Sequence, residues 1–131
     1  MAGERDLDRL LSGMAPRRAP GTYVFTTVPG SEVPDGLTPV ATVREDEGLT
    51  LVLPREEADR VGLCYDYVAA RITLLVHSDL AAVGLTAAVS TALADAGISC
   101  NVLAGYHHDH LFVPADEADR ALTVLGGLTR P

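Results

Sequence analysis

Residues 71–114 read RITLLVHSDLAAVGLTAAVSTALADAGISCNVLAGYHHDHLFVP, and their changes of hydrophobic period leave little freedom of fold. Arg71 to His77 is nearly continuous in apolar residues, as expected of a strand covered on both faces. Leu85, Ala88, Val89, Ala92, Leu93 and Ala96 then recur at helical spacing, with Thr86, Ser90 and Asp95 on the opposite side. Gly97 is suited to end that helix. Ile98, Cys100, Val102 and Ala104 alternate with Ser99 and Asn101, so the period drops to that of a strand. His110 to Val113 is the next strand, and Pro114 opens a final helix whose inner face is Ala118, Ala121, Leu122 and Leu125. Gly126-Gly127 is expected to stop it. The stretch is a βαββ unit with Gly84 at the mouth of its first helix.

Upstream, Leu7, Leu10, Leu11 and Met14 follow helical spacing from Asp6, and Pro16 and Pro20 end that helix. Thr22–Val28, Val40–Arg44 and Leu49–Leu53 read as strands. Pro54 opens a short helix ended by Gly62. Pro54, Glu57, Ala58, Asp59 and Arg60 return as Pro114, Glu117, Ala118, Asp119 and Arg120, each sixty residues on and each behind an apolar strand. Five matches at one offset favour duplication over chance. The expected segments are residues 1–65, a degenerate copy, and residues 66–131, a full one. The first copy has only a loop, Pro29 to Pro39, where the second has a helix. Its sheet then needs cover, from the N-terminal helix or from the second unit.

Composition narrows the function. The formal net charge is −8, and the only basic cluster is Arg17-Arg18, which excludes a basic face for nucleic acid. No apolar run reaches transmembrane length, and the opening MAGERDLDRL is too charged for a signal peptide. The expectation is a cytoplasmic protein with no membrane partner. Cys64 and Cys100 are too few for a four-cysteine zinc site and are expected to stay reduced. No phosphate-binding loop, GxGxxG fingerprint or nucleophile elbow is present.

The run VGLTAAVSTALADAGISCNV, with RITLLVHS before it and GYHHDHLFVP after it, resembles the ACT domains, and in particular small stand-alone bacterial proteins carrying two ACT-like units. The resemblance implies an α+β fold of ferredoxin-like βαββαβ topology, as two intertwined units with antiparallel sheets and helices on one face. It also implies amino-acid binding, a regulatory role and pairing into a homodimer. The ligand loop carried over from the family runs from Ser78 through Asp79 and Val83 to Gly84, facing Ile98, Ser99 and Asn101.

Each candidate has a structural alternative. The free N–H groups at Gly84, Leu85 and Thr86 suit a carboxylate, yet a glycine there also permits tight helix–strand packing. Asp79 could receive an ammonium group or cap a turn. Ser99 and Asn101 form a polar pair that needs ligand, water or a second subunit. His107, His108, Asp109 and His110 invite a metal, but on a strand His108 and His110 face away from His107 and Asp109. The plainer reading is a polar surface turn. The expected function is therefore non-catalytic amino-acid sensing, with no cofactor and no bound metal, through Ser78, Asp79, Val83, Gly84, Leu85, Ser99 and Asn101. The alternatives are a small metal-dependent enzyme using residues 107–110, or a purely structural dimerisation module.

Overall fold

The structure is a computed structural model that describes residues 6–76, Asp79 and residues 81–129. The elements are α1 (Leu7–Gly13), β1 (Ala15–Arg18), β2 (Tyr23–Val28), β3 (Ala41–Glu45), β4 (Gly48–Pro54), α2 (Arg55–Val61), β5 (Val68–Leu75), α3 (Leu85–Asp95), β6 (Asn101–Ala104), β7 (Asp109–Pro114), a 3₁₀ turn (Ala115–Glu117) and α4 (Ala118–Leu128). No helix among the described residues is long and apolar enough to cross a membrane.

The chain folds as two compact units. One is Pro20–Ala69; the other joins the residues up to Ala19 with those from Ala70 onward. The first is thus inserted in the second, and β5 passes from one to the other at Ala69–Ala70. Compactness therefore divides the chain differently from the duplicated sequence segments.

Within the inserted unit the strand order is β3-β4-β2-β5. Val24, Thr26 and Val28 pair antiparallel with Leu53, Leu51 and Leu49, which puts these six residues on one face of the sheet. Val24, Val28, Leu49, Leu51 and Leu53 pack there with Ala58 of α2 and with Leu37 of the connecting loop. The loop thus supplies one leucine where a helix would stand. α2 ends on Gly62, whose left-handed φ of 74° lets its N–H return to Ala58 and Asp59.

In the other unit the order is β1-β5-β7-β6. Ala70, Ile72 and Leu74 of β5 and Leu111 and Val113 of β7 face the helices, against Leu10 of α1, Val89 and Leu93 of α3 and Leu125 of α4. These side chains are essentially sealed from solvent, and burying each leucine contributes roughly 1.5–3 kcal/mol. The order is the ferredoxin-like one, with the last strand supplied by the start of the chain.

Several expectations change. α1 covers the core of the C-terminal unit, since Leu10 and Met14 join that cluster. β1 was hidden by Pro16, which sits on an edge strand where a missing N–H costs little. Ile98–Ala104 shortens to Asn101–Ala104, because the Ile98 N–H returns to the Leu93 carbonyl and extends the helix terminus. Gly126 and Gly127 do not stop the last helix, which runs to Leu128. Leu125 and Leu128 pack on the core and offset the propensity penalty of about 1 kcal/mol per glycine.

Candidate functional site

Gly84 is the N-cap of α3 with φ 105° and offers no side chain to close the first turn. The Ala88 N–H is the first to bond back along the helix, to the Gly84 carbonyl, so the N–H groups before it point off the helix end. A Cβ on Gly84 would come within 3.2 Å of Leu7 Cδ2. The glycine thus serves a tight packing contact with α1 as well as a left-handed backbone, and a bulky side chain there tests the fold before it tests a ligand.

Of the other loop residues, Val83 is 83% exposed and Leu85 is buried, leaving only its backbone for a ligand. Asp79 accepts from the Ala81 N–H at 2.8 Å while its carbonyl accepts from Ala82, a turn-forming role. Ser78 lies outside the described residues, as does His77. Ser99 and Asn101 are exposed and follow the C-terminus of α3. The 11 residues of that helix put ~16 Å between them and Gly84. One chain therefore does not bring the two halves of the predicted site together.

The residues closer to that loop belong to the β6–β7 turn. His108 Nδ1 lies 3.2 Å from the Val76 carbonyl, at the end of β5. His110 Nδ1 lies 3.0 Å from Thr73 Oγ1 and 3.3 Å from an Arg71 guanidinium nitrogen. A guanidinium only donates, so that nitrogen accepts and the ring is neutral with its proton on Nε2. Burial, then Arg71, then His108 lower the His110 pKa. Burial raises the Asp109 carboxyl, partly opposed by His108, and burial alone raises the Cys100 thiol. His107 is exposed, but His108 and His110 are half-buried and tied to other strands, so the plain surface-turn reading holds only for His107. Among the described residues no three His, Cys, Asp or Glu side chains are grouped to hold a metal ion.

The inserted unit carries two hollows that the sequence did not announce. One, of about 530 Å³, lies between the outer half of β2 and the loop after α2, and includes Phe25, Thr50, Tyr65 and Asp66. The other, of about 600 Å³, includes Tyr23, Pro54, Arg55 and Asp59. Thr26 and Tyr65 could not be grouped from the sequence, because nearly forty residues separate them and no repeated motif links them.

Residues 2–70 match one sequence model of the ACT domain, and residues 70–126 match a second. Among solved structures, a Vibrio cholerae protein of unknown function, described as a possible transport protein, is 51% identical with a TM-score of 0.86; the match covers 95% of this chain and 96% of that one. The Agrobacterium tumefaciens protein Atu0741 is 19% identical at TM-score 0.68, covering 88% and 89%. The ligand-free regulatory subunit of aspartate kinase from Thermus thermophilus is 10% identical at TM-score 0.66, covering 88% and 97%. The last two show a common fold. No curated protein matches the chain.

Proposed function

Because the chain belongs to the ACT-domain family, we propose that it is a non-catalytic regulatory protein that binds an α-amino acid. The observation that carries this reading is the open start of α3, where Gly84 leaves backbone N–H groups and the positive helix end available to a carboxylate. Regulatory subunits of aspartate kinase among its fold neighbours support the regulatory part. The ligand ammonium goes to Asp79 or to a carbonyl of the Ser78–Gly84 loop.

Ser99 and Asn101 then come from a second copy. They sit a helix length away from Gly84 in their own chain, and Asn101 opens β6, an edge strand of its unit. An unpaired strand edge is open to another chain, and a symmetric dimer would bring β6 of one copy to the loop of the other, giving two equal sites. In this reading residues 1–65 and 66–131 are the duplicated segments, and the protein works in the cytoplasm.

The test is calorimetry with the standard amino acids, using Val83→Glu as the variant. Val83 is exposed, so the change leaves the core intact and sets a carboxylate beside the one the ligand brings. We expect saturable, stereospecific binding of one amino acid by the parent and at least a tenfold loss in the variant. Equal affinity in a folded Val83→Glu protein would place the site elsewhere.

A further inference from the structure

We infer that the hollow of about 530 Å³ in the inserted unit is a second ligand site, for an organic cation with an apolar body, such as a primary amine on a ring. It goes beyond the amino-acid reading and does not depend on it. The hollow exists because the first copy departs from the second. α4 runs on to Leu128, whereas α2 stops at Val61 and the chain turns at Gly62. Leu63 is held to the Ala58 carbonyl, and Thr26 Oγ1 donates to the Cys64 carbonyl at 2.7 Å, fixing the returning loop beside β2.

The wall is fixed before any ligand arrives. The Tyr65 hydroxyl donates to Asp59 at 2.6 Å and accepts from Arg55 Nε at 2.9 Å, which holds the ring in one position. Phe25 packs against Tyr67 with ring centroids 6.2 Å apart. Thr50 donates to Glu45. Held walls spare a ligand the ordering cost of binding, and the volume falls in the range of small-molecule sites.

The chemistry of the wall selects charge. Glu45 and Asp66 line it, and no arginine or histidine does. Arg55, which touches the Tyr65 hydroxyl, is 3.8 Å from Asp59 and so already has its counter-charge. Phe25 and Tyr65 offer apolar surface to the body of such a ligand. The Arg55 guanidinium already lies over the Tyr65 ring, 5.8 Å from its centroid, so the attraction for the charge comes from Glu45 and Asp66. An anion would meet two carboxylates and no donor of opposite charge.

Amide NMR titration of the full chain with phenethylamine tests the inference, with 3-phenylpropionate as the anion of the same body. We expect phenethylamine to shift the amides of Phe25, Thr27, Thr50, Tyr65 and Asp66 in a saturable way, and the anion to leave them in place. Glu45→Gln with Asp66→Asn keeps an acceptor for Thr50 and removes both charges. Its affinity for phenethylamine should fall at least tenfold while its spectrum stays folded. Three results each overturn the proposal: equal response to amine and anion, shifts confined to other residues, or parent-like affinity in the folded double variant.

Discussion

His110 shows how a side chain that looks like part of a polar turn becomes a pH-sensitive strut. Its ring bridges to Arg71 and Thr73 of β5 as an acceptor, which a protonated imidazole cannot be. Unfolded, it takes a proton near its ordinary value of 6.5; folded, burial and Arg71 push that to lower pH. Between the two values the unfolded chain binds more protons, so stability is full above 6.5 and falls as pH drops through that window. We expect the urea midpoint to drop from pH 7 to pH 5.5, and the drop to shrink in His110→Gln. Asp109 acts with the opposite sign: its raised pKa makes the ionised form a cost, relieved as pH falls toward its ordinary value of 3.8. An unchanged pH slope in the variant would remove His110 from this role. Nothing in the sequence shows the bridge, because it depends on β5 lying beside β7. By contrast the start of α1 at Asp6, whose carboxylate accepts from the Arg9 N–H at 3.1 Å, was legible from the helical spacing of Leu7, Leu10, Leu11 and Met14.

At the scale of elements, the duplication is written into the strand register. Ala41, Thr42, Val43 and Arg44 pair with Val52, Leu51, Thr50 and Leu49, while Asn101, Val102, Leu103 and Ala104 pair with Phe112, Leu111, His110 and Asp109. Every member of one set is sixty residues from its counterpart. The arginines of the repeated motif match too: Arg60 donates to the Gly36 carbonyl at 3.3 Å and Arg120 to the Ala96 carbonyl at 2.8 Å, again sixty residues apart at both ends. Arg120 closes the end of α3, and Arg60 makes the same contact where no helix remains. Arg120 also pairs with Glu117 at 2.7 Å. We therefore expect Arg120→Ala to cost about 1 kcal/mol and Arg60→Ala about half that or less, by equilibrium denaturation. The reverse order would mean that the loop contact, not the helix end, is the one under load. Hydrophobic period revealed the longer elements, but β1 escaped. Four residues, one of them proline, give no period to read, and only their pairing with Ile72–Leu75 makes them a strand.

For the whole molecule, the ACT fold was legible because the βαββ pattern from Arg71 to Pro114 is long and internally consistent. The candidate site was legible only as a loop and a strand, and their separation by the length of α3 could not be read without the fold. That separation makes association a direct test. Light scattering should give twice the chain mass, and the amino acid should strengthen the pairing, since a ligand bound by both copies stabilises the dimer by mass action. A ligand-saturated monomer would remove Ser99 and Asn101 from the site.

The pairing of β1 with Ile72–Leu75 also sets an order of events during synthesis. The ribosome releases Ala15–Arg18 early, long before the strand they join exists. The inserted unit, whose strands β2, β3 and β4 and the first two residues of β5 lie between Tyr23 and Ala69, can close while the residues up to Ala19 are still waiting. The chain then returns to collect them once residues 70–75 emerge. Leu10 and Met14, which pack with Ala70, Ile72 and Leu74 in the finished core, have no such cover until then.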